Sequence, residues 1–238
     1  MNQVIHAILS AYVPVVKALA SMLGPEYEVV LHDVRNPSSS IIAIENSHVT
    51  GREVGGPLTD LGLKILGNSH RVKEDYIADY LTHAPNGKRL RSTTVIIRGE
   101  NRKILGFLCI NYDMTRTERM KDELRRLDGL TNHSGLVDLL ESLTTVSKLE
   151  SLFEQSAERF PTRFDQLLQQ TLDSTKEELK LPENVRSRPD RIRLIKALNE
   201  KGFFQVKGAV EMIATCFGLS IFTIYSYLRE AKEGSEEA

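Results

Sequence analysis

The sequence predicts an α+β fold: an antiparallel sheet with flanking helices, then a helical connector, then a small all-α helix-turn-helix domain. Three observations predict it. Runs at residues 27–33, 40–45, 93–98 and 104–112 have strand character and are punctuated by Gly, Pro, Asn and Ser turns. An apolar helical repeat precedes them, and charged helical sequence follows from Thr115. Near the C-terminus, Ala214, Gly218 and Ile224 stand at the offsets that two steeply crossed helices require.

The elements follow in chain order. Ile5, Ile8, Leu9, Tyr12, Val13, Val16, Leu19, Ala20 and Leu23 recur at helical spacing, and Gly24-Pro25 ends that helix. Residues 27–33 read as a strand, Asn36-Pro37-Ser38-Ser39 as a turn, and residues 40–45 as a second strand. Residues 46–57, with Gly51, Gly55 and Gly56, are a loop, and residues 58–66 a short apolar helix. Residues 67–92 are polar and show no clear period. Residues 93–98 and 104–112 form two strands joined by a hairpin loop at residues 99–103. In the second of them both faces are apolar, with Leu105, Phe107 and Cys109 against Ile104, Leu108 and Ile110. A strand apolar on both faces belongs in the middle of its sheet. Residues 115–180 read as helical with breaks at Gly129, Gly135 and Pro161, and a Pro-bearing linker covers residues 181–189. These readings divide the chain into a sensor-type domain at 1–127, a connector and linker at 128–188, and a helix-turn-helix domain at 189–232.

At 238 residues and 41% hydrophobic content the chain can bury a sizeable core. Its net charge of −1 offers no global attraction for nucleic acid. Charge by segment is more informative. Residues 1–112 carry 12 basic and 10 acidic side chains, and residues 113–185 carry 10 and 15. Residues 186–232 carry 9 and 4, a local net of +5, before the acidic tail of Glu233, Glu236 and Glu237. A basic block appended to a near-neutral domain is the asymmetry of a nucleic-acid-binding module. Cys109 and Cys216 each lie in an apolar run and read as two buried, reduced thiols, which fits a cytoplasmic protein, with a lone structural disulfide as the alternative. The N-terminus has no basic leader or cleavage site, and no apolar run reaches membrane-spanning length, so no membrane association is expected.

A helix-turn-helix needs a small residue where its helices touch, a left-handed turn residue four positions on, and a branched apolar residue ten positions on. Ala214, Gly218 and Ile224 meet these conditions, with Ile213, Phe217, Leu219 and Leu228 as supporting core. Ser220 follows the turn as the N-cap of a recognition helix over residues 220–231. Its outward residues, Ile221, Phe222, Thr223, Tyr225, Ser226 and Arg229, are candidates for contact with double-stranded DNA, together with Ser220 and Lys207. Ile221 and Phe222 either touch thymine methyl groups or bury themselves against a neighbouring element. Arg186, Arg188, Arg191, Arg193, Lys196 and Lys201 are phosphate-contact candidates or simply a solvated face.

Several stretches carry a family likeness. RIRLIKALNEKGFFQVKGAVEMIATCFGLSIFTIYSYLRE (191–230) resembles the C-terminal helix-turn-helix of the YheO-like, DauR-type transcriptional regulators. VVLHDVRNPSSSIIAIENSHVTGREVGGPLTDLGL (29–63), GKRLRSTTVIIR (87–98) and ILGFLCINYD (104–113) resemble the PAS-like domain of the same family, and FDQLLQQTLDSTKEEL (164–179) is similar in pattern. The resemblance implies a bacterial regulator with a PAS-like sensor, a DNA-binding tail and a dimeric state. A homodimer also follows from geometry, since a two-fold operator mirrors a two-fold protein. The stripe Leu136, Leu139, Leu140, Leu143 and Val146 offers a seam for it, or packs within the chain.

A PAS-like sheet can enclose a small-molecule effector. His32, Asn46, His48, Arg52, Ser92, Thr93 and Asn111 are the candidate ligand contacts, because they place polar groups among strands and tight loops. Asn111 shares a strand face with Cys109 and Phe107 by alternation. The alternative is that such residues only satisfy backbone groups. The histidines lack ligand spacing and the cysteines are unpaired, so no metal or cofactor is expected. The loop at 51–56 lacks the Lys-Ser/Thr ending of a phosphate loop, and no nucleophile elbow or kinase signature occurs, so no enzyme is expected. The leading function is a repressor-like, ligand-responsive transcriptional regulator. A protein-interaction adaptor and an enzyme using the N-terminal pocket are the alternatives.

Overall fold

The computed structural model describes residues 6–131, 160, 164–206 and 208–233. The N-terminal helical repeat is divided into α1 (Ala7–Ser10) and α2 (Val13–Leu23). Pro14 lies in the first turn of α2. A ring there cannot donate to the preceding turn, so one continuous helix gives way to two. Five strands follow: β1 (Tyr27–Asp33), β2 (Ile41–Glu45), β3 (Tyr76–His83), β4 (Arg89–Arg98) and β5 (Ile104–Asp113). Helix α3 (Asp60–Gly67) sits between β2 and β3, and α4 (Thr115–Thr131) leaves β5. The strands make one antiparallel sheet of order β2-β1-β5-β4-β3, with β5 at its centre.

Two sequence readings are corrected here. Residues 67–92 contain all of β3 and the start of β4. The apolar period of β3 is broken by a register shift between Ile77 and Tyr80, where Asp79 takes a φ of 60°. The faces of β5 also differ from strict alternation. Register slips where Ile97 pairs with Gly106 but Arg98 pairs with Ile104. One unpaired residue inverts the faces. Ile104 therefore joins Phe107 and Cys109, while Leu105 joins Leu108 and Ile110.

The outer face of the sheet, with Val29, Leu31, Ile97 and Leu108, is covered by Leu9, Val16 and Ala20 of the N-terminal helices. The inner face carries Val30, Ile96, Phe107 and Cys109 and packs toward Leu61, Leu63 and Ile65 of α3.

The C-terminal part comprises α5 (Phe164–Glu178), α6 (Arg188–Glu200), a 3-10 turn (Phe203–Gln205), α7 (Ala209–Phe217) and α8 (Ile221–Glu233). Arg188-Pro189 opens α6 and does not belong to the linker. Ser187 caps that helix by accepting from the Asp190 amide at 3.2 Å, and proline is tolerated in a first turn. Helix α4 continues through Gly129 without a break. Cys109 is buried, but Cys216 is exposed on the outward face of α7. The proposed seam at residues 136–146, the breaks at Gly135 and Pro161, Lys207, and the tail residues Glu236 and Glu237 lie outside the described residues.

The two parts share one apolar interior. Leu61, Leu63 and Ile65 of α3 belong to the same buried cluster as Leu194, Ile195, Leu198 and Phe203. The contact is close enough to be made by backbone. A Cβ placed on Gly67 would lie 2.7 Å from the Gly202 Cα, and one on Gly202 would lie 1.9 Å from the Leu63 carbonyl oxygen. Asn68, after the last turn of α3, donates its amide to the Lys64 carbonyl at 3.0 Å and to the Glu200 carbonyl at 2.6 Å. One side chain thus ends α3 and ties it to the end of α6.

Candidate functional site

The inner face of the sheet carries a polar row built by register. Glu28 of β1 stands opposite Asn111 of β5, and Asn111 stands opposite Ser92 of β4. All three are buried. Glu28 alternates with Val30 and His32, so the same face of β1 presents a carboxylate, an apolar residue and an imidazole. The loop between β2 and α3 brings Arg52 over this row. Its Nη2 donates to Glu28 Oε1 at 2.7 Å, and its Nε donates to Thr50 Oγ1 at 3.1 Å. The Thr50 hydroxyl donates to Glu28 Oε2, and Asn111 Nδ2 donates to Glu28 Oε1 at 2.9 Å. The Arg52 guanidinium carbon lies 4.7 Å from the centre of the Phe160 ring. That ring, with Val49, Ala84 and Leu90, forms a small apolar cluster beside the ion pair.

Away from Glu28, Thr82 and Ser92 hydroxyls lie 3.1 Å apart, Tyr80 and Thr94 hydroxyls 2.8 Å, and Thr94 Oγ1 lies 3.4 Å from Cys109 Sγ. His32 Nδ1 is 2.8 Å from the Ser40 hydroxyl. Burial, and next the positive charge of Arg52, hold the His32 imidazole well below its usual range, so it is neutral at pH 7. Three buried atoms have no hydrogen-bond partner among the described residues: His32 Nε2, Arg52 Nη1 and Asn111 Oδ1. Such orphans are rare in native interiors and ask for an explanation.

Of the seven residues singled out for a ligand, His32, Arg52, Ser92 and Asn111 come together on this face. The other three stand elsewhere. Asn46 has a φ of 55° and uses its amide to hold the carbonyls of Gly24 at 3.0 Å and Tyr27 at 2.8 Å. His48 is exposed. Thr93 points to the outer face opposite Ile110, one step out of phase with Ser92. Glu28, Thr50 and Phe160 belong to the cluster but were not singled out. Glu28 was legible, because a charge in phase with Val30 on a strand apolar on both sides has to be paired. Phe160 left no such signal.

The C-terminal helices make the second site. Helices α7 and α8 meet at 105° across Gly218, which has a left-handed φ of 62°. The Leu219 amide closes the turn on the Ala214 carbonyl at 2.9 Å. Ala214 is buried at the crossing beside Ile213, Phe217 and Ile224. Ser220 Oγ accepts from the Thr223 amide at 3.1 Å and lies 2.9 Å from the Thr223 hydroxyl, capping α8. Ile221, Phe222, Tyr225 and Arg229 are exposed on α8, and Thr223 and Ser226 are half-buried. Among the cationic candidates, Arg191 has a structural role, donating to the carbonyls of Val185 and Phe217 at 2.9 and 3.3 Å. Arg188 pairs with Glu230 at 2.8 Å, and Lys201 pairs with Glu178 at 2.7 Å. Arg186 and Arg193 are exposed.

Residues 3–128 match the model of the YheO-like PAS domain, and residues 167–229 match a helix-turn-helix domain. The chain belongs to the YheO-like family. YheO of Escherichia coli K12 is 30% identical over 227 residues, covering 95% of this chain and 86% of its own. An uncharacterized protein of Haemophilus influenzae is 30% identical over 231 residues, covering 97% of this chain and 94% of its own. The transcriptional regulator DauR of Pseudomonas aeruginosa is 28% identical over 231 residues, covering 96% of each chain. In this YheO-like chain the Glu28–Arg52–Asn111 cluster falls inside the PAS region, while Phe160 lies between the two matched regions. A PAS domain with a helix-turn-helix domain is typical of transcriptional regulators rather than of enzymes. Among the described residues no group of three metal-ligating side chains occurs, and no single helix is long and apolar enough to cross a membrane.

Proposed function

We propose that this chain is a homodimeric, DNA-binding transcriptional regulator of the cytoplasm, whose PAS-like domain holds a small polar effector at the Glu28–Arg52–Asn111 cluster. The observation that carries the DNA reading is the steep helix pair of α7 and α8, which leaves one face of α8 open within a segment of net charge +5. Such a second helix fits the major groove while basic side chains meet phosphates. DauR, a relative over nearly the whole chain, is a transcriptional regulator, which supports the same reading.

The test is a gel shift with the full-length protein and the DNA upstream of its own gene. Binding is expected to weaken on the order of 10²-fold or more between about 50 and 200 mM salt, as phosphate-bound counterions are released. Arg229→Ala is expected to weaken binding further and to lower the salt slope, because Arg229 is exposed on α8. Absence of any retained duplex, or binding indifferent to salt, overturns the assignment.

The effector reading rests on the orphaned atoms. Arg52 Nη1 asks for an acceptor and Asn111 Oδ1 for a donor. Glu28 already balances Arg52. An occupant that brought a net charge into this buried site would leave it uncompensated. The site therefore suits a neutral or zwitterionic molecule that carries both a donor and an acceptor. Native mass spectrometry of the full-length protein is expected to show a bound species of metabolite size that Asn111→Leu loses. The variant should still shift DNA, which shows that it is folded. An unchanged bound mass in Asn111→Leu, or no bound mass in either protein, rejects the site.

A further inference from the structure

We propose that α8 reads DNA through thymine methyl groups, with Phe222 and Ile221 as the specificity-determining residues; this rests on the DNA-binding reading above. The argument begins with what α8 lacks. From Ile221 to Leu228 the sequence IFTIYSYL has no charged side chain and no Asn or Gln, and the first cation is Arg229, two turns along. The side chains that read guanine or adenine edges by paired hydrogen bonds are therefore missing from the end of the helix that enters a groove.

The hydroxyls at that end are engaged as well. Ser220 and Thr223 bond one another and cap the helix backbone. What stands out into solvent is apolar. Phe222 is 84% exposed, Tyr225 58% and Ile221 45%. Spacings of three and four residues place all three on one face. An exposed cluster of large apolar side chains marks a contact surface.

The thymine methyl is the one apolar group that base pairs present in the major groove. The surround favours DNA as the occupant over a second protein surface. Exposed Arg229 stands on the same helix, in a segment of net charge +5 whose Arg186 and Arg193 are also exposed. Phosphates would meet these cations while the ring of Phe222 and the Ile221 side chain lie against methyl groups.

The test compares two random-sequence duplex libraries, one made with thymine and one with uracil replacing it throughout. Uracil keeps every hydrogen-bonding edge and lacks only the methyl. Full-length protein is expected to enrich a set of sequences from the thymine library. The same sequences rebuilt with uracil should bind about fourfold more weakly per methyl contacted, and an order of magnitude or more more weakly for a dimer. Phe222→Ala and Ile221→Ser, both at exposed positions, should bind the thymine and uracil duplexes more nearly alike.

Equal affinity of the unaltered protein for the thymine and uracil forms of the enriched duplex overturns the proposal while leaving DNA binding intact. Loss of self-association in Phe222→Ala with an undiminished preference for thymine also overturns it, and gives the patch to a second copy. Failure to retain duplex from either library at about 50 mM salt instead removes the regulator reading on which the proposal stands.

Discussion

Arg52→Met is expected to cost about 3–5 kcal/mol of folding stability, the range for removing one partner of a buried ion pair. Arg52 and Glu28 are both buried from solvent and their charged atoms are 2.7 Å apart. Methionine fills much of the arginine's volume, so a cavity contributes little to the loss. What remains is a carboxylate with neutral donors only, from Thr50 and Asn111. The ring of Phe160 also loses the guanidinium it faces. Urea denaturation checks the size of the effect. The double variant Glu28→Gln with Arg52→Met should recover about half of the loss or more, since no buried charge is then left unpaired. A single-variant cost under about 1 kcal/mol would mean that the pair behaves like a solvated surface bridge.

Gly202→Ala is expected to cost more than Gly208→Ala, although both residues have left-handed φ values, 72° and 93°. The backbone penalty, about 1–2 kcal/mol, is common to both. At Gly208 an added Cβ meets nothing within 4 Å, whereas at Gly202 it meets the Leu63 carbonyl oxygen at 1.9 Å. Relieving that clash requires the 3-10 turn and the end of α3 to part. The parting disturbs the packing of Phe203 and Leu198 against Leu63 and stretches the Asn68 bond to Glu200. A total of roughly 3 kcal/mol or more is expected, in the range of disrupted core packing. Equal losses in the two variants, measured by denaturation side by side, would show that the close approach of Gly67 and Gly202 is not a stabilising contact.

Much of the fold was legible because local signals agreed with tertiary ones. The helix stop at Gly24-Pro25, the central place of β5 in its sheet, and the Ala214, Gly218 and Ile224 triad each stand where the sequence signals place them. What stayed illegible has physical reasons. Strand β3 is an edge strand with polar residues and a register shift, so no period of two survives across it. The start of β4 does alternate, with Arg89 and Arg91 exposed and Leu90 and Ser92 buried, but a single apolar residue is too little to signal a strand. At the polar cluster, alternation places Asn111 on the face of Phe107 and Cys109. It says nothing of Asn46 or His48, since a loop has no period and either residue can turn to its own backbone. Cys216 shows the converse. Its neighbours Ala214 and Phe217 are buried, but a helix turns about 100° per residue and carries the thiol to the outside.

The ring that faces Arg52 comes from residue 160, beyond the sheet and α4, and the other side of α3 is covered by residues 194–203. Strands and helices within residues 3–128 are therefore only part of what closes the N-terminal interior. A fragment cut after α4 would bare Leu63 and Ile65 to water along with one face of a buried guanidinium, so dissecting this protein at that point yields a truncated globule. The PAS and helix-turn-helix regions are packed as one body, and each is finished by atoms of the other.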